Sequence, residues 1–291
     1  MDKIDRIILG SNAFEGVGYL SRAQTRHYLE FFSKKENIIP ILEASFNLGV
    51  RSFMCSNNSN ILSALEAFKN SSDFSILAVV PNAYEYARES TEKGVLGTIL
   101  GKAKEIDLYR KVRMGLRALR KIQGIITKDL LTLLTNLMDF EMASFHPYKV
   151  TGVILHGQVT DLALSSNNRE VFDVYQEIVR ERYKVQPILA THNFGTLLPK
   201  LMEWQINMPI MTSFNKKGFI MKPSQEDCEQ LLERTDYYII AKKVMAGGRL
   251  SPEEAFPYIS DKNIGSVVLG VGSLAEAYHT LSVAKSTFPT P

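Results

Sequence analysis

Two histidines and two lysines lie at or just beyond the ends of short apolar runs, where α/β enzymes place catalytic groups. His156 follows TGVIL, His192 follows PILA by two residues, and Lys242 and Lys243 follow YYIIA. A histidine there can act as a general acid, a general base or a carbonyl polariser. A desolvated lysine can form a Schiff base or hold an anion. Because side chains alternate along a strand, at most one lysine faces the interior easily, and we favour Lys243, from which an AGG turn departs.

Further polar residues recur at the ends of the apolar runs. The asparagines are Asn12, Asn57, Asn82, Asn193 and Asn215. As a set they suit recognition of a polar or carbonyl-bearing small molecule, although asparagine also favours turns for its own conformational reasons. Additional candidates for substrate contacts are Ser11, Cys55 and Gln158, and Tyr84 is a candidate proton donor. Cys55 also suits simple burial, as cysteines at strand ends often do.

The elements that would position these groups alternate regularly between apolar runs and helical patterns. The clearest unit spans Asp236–Ser273, where Ser251, Pro252 and Glu254 mark a helix start with a capping box between two strands. Such a βαβ unit requires a parallel sheet. Eight strands are predicted, ending near Gly10, Met54, Val80, Leu155, Ala190, Thr212, Ala241 and Leu269. The repetition predicts a single (β/α)8 TIM barrel over residues 1–291.

One crossover of this barrel is longer than the others. Residues 83–149 exceed a plain connection between the third and fourth strands and are predicted to hold an extended helical insertion. Basic residues accumulate within it over 102–121. Two interpretations stay open for this segment, namely a solvated helix face and a contact surface for an anionic partner.

Composition limits the functional classes. The chain has 291 residues, a net charge of +3 and two cysteines, so neither a nucleic-acid partner nor a disulfide framework is indicated. Neither an HxH nor an HExxH spacing occurs, and no metal is expected. The amino-terminal residues do not form a signal peptide, and no apolar run approaches membrane-spanning length. These features favour a cytoplasmic protein that acts on a small molecule.

Several motifs along the chain are similar to those of the aldo/keto reductase superfamily. They are ILGSNAF, LGVRSFMCS, VILHG, THNFG, TSFN, VMAGGRLSPEEA and VVLGVGS. The resemblance covers most of the chain, and VMAGGRLSPEEA is its most specific part. It implies a (β/α)8 barrel and hydride transfer from NADPH to a carbonyl, carried out by an Asp, a Tyr, a Lys and a His.

The chain departs from that catalytic tetrad. Met54 stands where the family keeps its Asp, Ser59 where it keeps its Tyr, and Val80 where it keeps its Lys, whereas His156 matches the His. Part of the cofactor scaffold is retained in the sequence. By resemblance, Asn193 would hold the nicotinamide amide, Phe214 would stack on its ring, and Gly272 and Ser273 would seat a phosphate. NADPH binding is therefore left open.

Three functions compete at this stage. The first is a small-molecule enzyme that performs acid/base or carbonyl chemistry, as an isomerase, epimerase, dehydratase or lyase, with His156 and Lys243 as reactive groups and His192 beside them. The second is a divergent NADPH-dependent oxidoreductase whose proton donor is Tyr84 or His156. The third is a non-catalytic binding protein.

Overall fold

The chain forms a closed barrel of eight parallel strands in sequential order, seen in a computed structural model that describes residues 4–82 and 130–289. The strands are β1 Ile7–Gly10, β2 Ser52–Cys55, β3 Ser75–Val80, β4 Val150–Leu155, β5 Gln186–Ala190, β6 Ile210–Ser213, β7 Ile239–Lys242 and β8 Ser266–Gly270. Pairing of β1 with β8 closes the barrel. The predicted (β/α)8 fold is confirmed, and every strand ends within one residue of its expected position.

Helices follow the strands and cover the barrel. They are α1 Arg22–Phe31, α2 Ile39–Asn47, α3 Ser59–Ala67, α4 Leu130–Ser144, α5 Gly157–Ser165, α6 Arg169–Glu177, α7 Phe194–Glu203, α8 Gln225–Glu233, α9 Pro252–Ser260 and α10 Leu274–Thr287. The predicted capping box is present at the start of α9, where the Ser251 hydroxyl accepts from the Glu254 amide and the Glu254 carboxylate accepts from the Ser251 amide.

Two helical features were not predicted. Helix α5 begins directly after His156, which is its N-cap. It was not predicted because this position holds none of the usual N-cap residues Ser, Thr, Asp or Asn. Helix α6 continues as a π-helix over Ile178–Tyr183 and ends at Lys184, which adopts a left-handed conformation with φ of 59°.

Side chains divide the core into two apolar layers. Every strand sends at least one buried apolar residue into the barrel interior, and β5 sends two: the set is Ile8, Met54, Leu77, Ile154, Ile188, Ala190, Met211, Ile240 and Val268. Neighbouring strand residues such as Phe53 and Val153 point outward and pack in the larger cluster between barrel and helices. This explains why the strands are apolar on both faces, as parallel strands covered by helices should be.

A buried tyrosine fixes two of the strands that carry candidate residues. The Tyr175 hydroxyl in α6 lies 2.6 Å from the carbonyl oxygen of Val153 in β4 and 2.9 Å from that of Ile188 in β5. It also accepts from the Ile188 amide at 3.2 Å. The hydroxyl therefore sets the spacing of β4 and β5, whose ends carry His156 and His192.

The long crossover is described only in part. Its described portion contains α4, while Tyr84 and the basic segment 102–121 lie outside the described residues. In the part of the chain that is described, no helix combines the length and apolarity needed to cross a membrane.

Candidate active site

A cavity of about 320 Å³ opens at the carboxyl ends of the strands. Every strand or the residues that follow it contributes to the lining, as expected for a barrel whose strand ends converge on one face. Seven candidates from the sequence line this cavity: Ser11, Asn12, Asn82, His156, His192, Lys243 and Gly272. The remaining candidates lie elsewhere or are engaged by other groups, as described below.

His156 is held at the end of β4 by a capping interaction. Its Nδ1 accepts the Gln158 amide proton at 3.2 Å, and its side chain is the N-cap of α5. Burial, followed by the charges of Lys242 and His192, lowers the pKa of His156 to about 4, against the opposing effect of Asp161. The ring is therefore neutral near pH 7. Because Nδ1 acts as an acceptor, the proton of the neutral ring resides on Nε2, which makes His156 a hydrogen-bond donor.

His192 is paired with a carboxylate that sequence reasoning missed. The imidazole Nδ1 lies 3.6 Å from Asp161 Oδ2, and the His192 amide donates to the same oxygen at 3.2 Å. The Thr191 hydroxyl donates to the other Asp161 oxygen at 2.5 Å. Burial acts to raise the pKa of Asp161, but the contacts with His192 and Thr191 outweigh it, and the pKa is lowered. Asp161 is therefore ionised and orients the His192 ring.

The pKa of His192 responds to opposing neighbours. The interaction with Asp161 acts to raise it, but burial together with the charges of Lys242 and Lys243 prevails, and the pKa lies below its ordinary 6.5. The side chain remains 37% exposed, which leaves it accessible from the cavity. A histidine in this state is mostly neutral near pH 7 and can accept or return a proton.

Lys242 is the lysine that strand alternation directs into the barrel. Ile240, two residues earlier, belongs to the interior layer, so Lys242 points the same way. Burial, and secondarily the charge of Lys243, lowers the pKa of Lys242 to about 7, with Asp161 opposing the shift. About half of the Lys242 side chains therefore carry a neutral amine near pH 7. The prediction that favoured Lys243 as the inward lysine missed this position.

Lys243 reaches the same cavity by a different route. Its φ of 56° is left-handed, which turns the chain out of the strand and brings the side chain back toward the mouth of the barrel. The ammonium nitrogen lies 4.8 Å from the centroid of the Tyr19 ring. Burial lowers the pKa of Lys243 to about 8. Both lysines therefore line the cavity, which corrects the expectation that at most one would do so.

The loop after β1 supplies a network of polar groups. The Ser11 hydroxyl donates to Glu15 at 2.5 Å, and the Asn12 amide group donates to the Tyr19 hydroxyl at 2.6 Å. Through this bond Asn12 braces the ring on which Lys243 rests. Because the Ser11 hydroxyl donates its proton to Glu15, it can only accept a hydrogen bond from a ligand.

Ser56 contributes a further hydroxyl to the cavity. It follows β2, is only 3% exposed, and its Oγ has no hydrogen-bond partner in the described residues. A buried polar atom that lacks a partner costs about 1–3 kcal/mol, so a ligand atom that bonds to it would be stabilised.

Three predicted substrate contacts are not placed in the cavity. Cys55 is fully buried in the layer between barrel and helices, because alternation turns it away from the interior that Met54 faces. Burial and the charge of Glu15 raise its thiol pKa well above 9, which rules out a thiolate nucleophile. Asn57 accepts from Asn82 at 3.2 Å, outside the cavity lining. Gln158 is exposed in the first turn of α5.

The remaining asparagines divide between turn and cavity. Asn215 is a turn residue, because its Oδ1 accepts from the amides of Lys217 and Phe219 and its Nδ2 donates to the Phe219 carbonyl oxygen. Asn82 lines the cavity, and its backbone amide donates to both carboxylate oxygens of buried Glu141 in α4. The ligand-recognition interpretation therefore applies to some strand-end asparagines and the turn interpretation to others.

The described residues do not form the nicotinamide site that the sequence resemblance implied. Phe214 is 0% exposed and stacks on Tyr258 of α9 at a centroid distance of 6.2 Å, because it faces outward after β6. Asn193 precedes α7 and does not line the cavity. The ring-stacking face expected of Phe214 is thus covered by protein.

The expected phosphate seat is also occupied by the chain's own groups. The Gly272 amide donates to the Glu276 carboxylate at 2.7 Å, and the Ser273 hydroxyl accepts from the Glu276 amide at 3.1 Å. A Cβ at Gly272 would lie 2.2 Å from the Tyr28 hydroxyl, so Tyr28 also covers this turn. The residues present do not fit a nicotinamide cofactor bound in the implied manner.

Within residues 4–82 and 130–289, no group of three or more His, Cys, Asp and Glu side chains has the arrangement of a metal site. Four residues of the candidate site were not selected from the sequence, and they differ in how they could have been found. Lys242 was named as a strand-end lysine but not favoured, although strand alternation places it inward, and Ser56 lies between the two candidates Cys55 and Asn57. Asp161 depends on helix α5, which was not predicted, and Glu15 carries no sequence signal.

Comparison with known proteins adds information on the fold. No protein-family model and no curated protein matches the chain. Among solved structures, an aldo-keto reductase from Pseudomonas aeruginosa superposes with a TM-score of 0.56 at 13% identity, covering 98% of this chain and 91% of that one. An aldo-keto reductase from Bacillus halodurans, in its holo form, gives 0.52 at 10% identity, covering 98% and 88%. In its fold, the chain is a (β/α)8 barrel of the aldo-keto reductase type.

Proposed function

We propose that the protein is an enzyme that activates a small carbonyl compound as an imine on Lys242. The observation that carries the proposal is the position of this amine, which faces the cavity with a pKa of about 7 and influences the pKa of both His156 and His192. A lysine desolvated in this way is a nucleophile at neutral pH. Isomerisation, dehydration and carbon–carbon cleavage can all begin with this shared step.

Each group beside Lys242 has a role in forming the imine. The Lys242 nitrogen lone pair attacks the carbonyl carbon, and the π electrons move to the oxygen. The Nε2–H of His156 donates a hydrogen bond to that oxygen as charge develops on it. The proton released by the nitrogen passes through His192 to the oxygen and gives the neutral carbinolamine. A second proton, taken up from solvent water through His192, then protonates the carbinolamine hydroxyl, which leaves as water. The product is the protonated imine, an electron sink for the subsequent reaction.

Asp161 acts through His192 rather than on the substrate. Because Asp161 engages the backbone amide and lies near Nδ1, the other ring nitrogen, Nε2, is the one available for proton exchange. This makes Asp161 a positioning residue. Hydride transfer in the manner of the aldo/keto reductases receives no comparable support, since Met54 and Val79 line the cavity near the ends of β2 and β3, where the family keeps acid/base groups.

Reductive trapping tests the proposal. The protein is incubated at about pH 7 with pyruvate, hydroxyacetone or acetaldehyde in the presence of sodium cyanoborohydride, which reduces protonated imines to stable amines. We expect a mass gain equal to the carbonyl compound less one oxygen atom, mapped to the peptide that contains Lys242. Relative to a lysine of pKa 10.5, the larger neutral fraction predicts labelling that is about 10²–10³-fold faster.

Two variants control the experiment. Lys242→Met should lose the fast labelling, whereas Lys149→Met, at an exposed lysine remote from the cavity lining, should retain it. Uniform slow labelling of surface lysines, with Lys242 no faster than the rest, would refute the proposed function.

A further inference from the structure

We propose that the substrate carries an anionic group, most simply a carboxylate next to the carbonyl, and that Lys243 on its Tyr19 platform is the subsite that binds it. This inference rests on the proposed function, because it names the substrate class for the same cavity. It assigns different tasks to two adjacent lysines, with Lys242 as the reactive amine and Lys243 as the cation that orients the substrate.

Lys243 faces the cavity without an anionic partner. In the described residues its ammonium makes no hydrogen bond and no salt bridge, and it lies over the Tyr19 ring. Within residues 4–82 and 130–289, burial is what lowers its pKa, and no carboxylate acts to raise it. The side chain is only partly exposed, and a cation that has lost part of its hydration is costly unless a ligand supplies the opposite charge.

The surroundings keep Lys243 charged rather than nucleophilic. An aromatic face attracts a cation and not a neutral amine, and the Tyr19 ring is braced by the Asn12 side chain. Burial lowers the pKa of both lysines, but among the described residues it is Lys243 that contacts the Tyr19 ring, and this contact favours its charged form. The Tyr19 ring therefore distinguishes Lys243 from Lys242.

The carboxylates that line the cavity are committed to other partners. Glu15 accepts from Ser11, and Glu276 accepts from the Gly272 amide. Asp161 of α5, which is outside the lining, is engaged by Thr191 and His192 after β5. The cavity thus has a reactive end at Lys242, His156 and His192, and a cationic end at Lys243 beside the β1 loop.

The reactive end and the cationic end of the cavity together indicate the substrate class. Both side chains line the cavity, and the charge of Lys243 lowers the pKa of Lys242, so the two nitrogens are close enough to act on one small substrate, with the anion on Lys243 near the carbon attacked by Lys242. A 2-oxo acid satisfies that requirement. The Ser56 hydroxyl, which is buried and has no hydrogen-bond partner in the part of the chain that is described, adds a neutral hydrogen-bonding position to the same cavity.

The test compares pyruvate with hydroxyacetone in the trapping assay, each rate divided by that of Nα-acetyllysine with the same compound. In the parent protein we expect the normalised rate for pyruvate to exceed that for hydroxyacetone by at least about tenfold, the equivalent of about 1.4 kcal/mol. Lys243→Met should reduce that ratio toward one, Lys243→Arg should preserve most of it, and Lys149→Met should leave it unchanged.

The outcomes separate this inference from the proposed function. Equal normalised rates in the parent protein, or a ratio unaffected by Lys243→Met, would overturn the anion subsite while Lys242 chemistry stands. If neither compound is trapped, calorimetric titration with pyruvate decides the matter. Binding that weakens about tenfold or more in Lys243→Met would support the subsite and overturn the proposed function, and absence of binding would overturn both.

Discussion

Replacing Lys242 with methionine should stabilise the fold near pH 6 while abolishing imine formation. Methionine retains the apolar stem of lysine and removes the charge that the barrel interior disfavours. The cost of that charge follows from the pKa of Lys242, which falls from an ordinary 10.5 to about 7 in the folded protein. At about 1.36 kcal/mol per unit, the difference of about 3.5 units sets an upper bound of about 5 kcal/mol.

The sign and pH dependence follow from proton binding. Below pH 7 the folded and unfolded states are both protonated at Lys242, so the folded state bears the full penalty. As pH rises from about 7 to 10.5, the unfolded state binds more protons than the folded state, and the parent protein gains stability. The advantage of methionine is therefore largest near pH 6 and disappears above the unfolded pKa. Cavity water solvates part of the ammonium, and we expect about 2–4 kcal/mol near pH 6.

Thermal unfolding measures this effect. A change of 1 kcal/mol shifts Tm by about 2–4 °C in domains of 150–250 residues, so Lys242→Met should melt about 5–10 °C above the parent near pH 6 and approach it near pH 9.5. Lys149→Met, at an exposed position, serves as the matched control and should change Tm little. A variant that is less stable than the parent near pH 6, or whose advantage does not vary with pH, would contradict the reasoning.

Three further predictions concern the site, its frame and the cofactor. His156→Asn keeps a capping acceptor for α5, so its trapping rate should fall about 10²-fold or more with little change in Tm. His156→Ala should lose the same activity and also about 1 kcal/mol of stability. A full trapping rate in either variant would exclude a catalytic role. Tyr175→Phe removes the hydroxyl that joins β4 to β5 and should cost about 1–3 kcal/mol in thermal or urea unfolding, and unchanged stability would show that the bridge is unimportant. Reduction of common aldehydes with NADPH should be negligible, because each missing acid/base group typically lowers the rate by a factor of about 10²–10⁴. A spectrophotometric assay that shows turnover at ordinary reductase rates would contradict the site described above.

The barrel could be predicted from the sequence because its signals are local and repeated. Apolar runs of strand length alternate with helices, and a strong capping box such as that of Ser251 and Glu254 marks a helix start without tertiary information. Convergence of strand ends on one face then follows from the fold itself, which is why Ser11, Asn12, Asn82, His156, His192 and Lys243 all line one cavity.

The individual contacts depended on features that sequence patterns do not contain. Phe214 matched a family motif, but the path of the backbone after a strand decides which way a side chain points. Here the Phe214 ring points outward and stacks on Tyr258. Lys243 enters the cavity only because its φ is positive, a conformation uncommon for lysine. Asp161 was missed because helix α5 has no conventional cap and because its partner, His192, is contributed by a different strand.

The pH dependence of trapping at Lys242 tests the central claim most directly. The rate of labelling by a limiting concentration of pyruvate, with cyanoborohydride in excess so that imine formation limits the rate, is followed by peptide mass spectrometry between about pH 5.5 and 10. Nα-acetyllysine is followed separately under the same conditions as an amine of ordinary pKa. If Lys242 is a desolvated amine, its labelling rises with a midpoint near pH 7 and then levels off, because the neutral amine is the reactive form. A midpoint near 10, or labelling that maps to other lysines, would show that Lys242 is an ordinary lysine and that the cavity performs different chemistry.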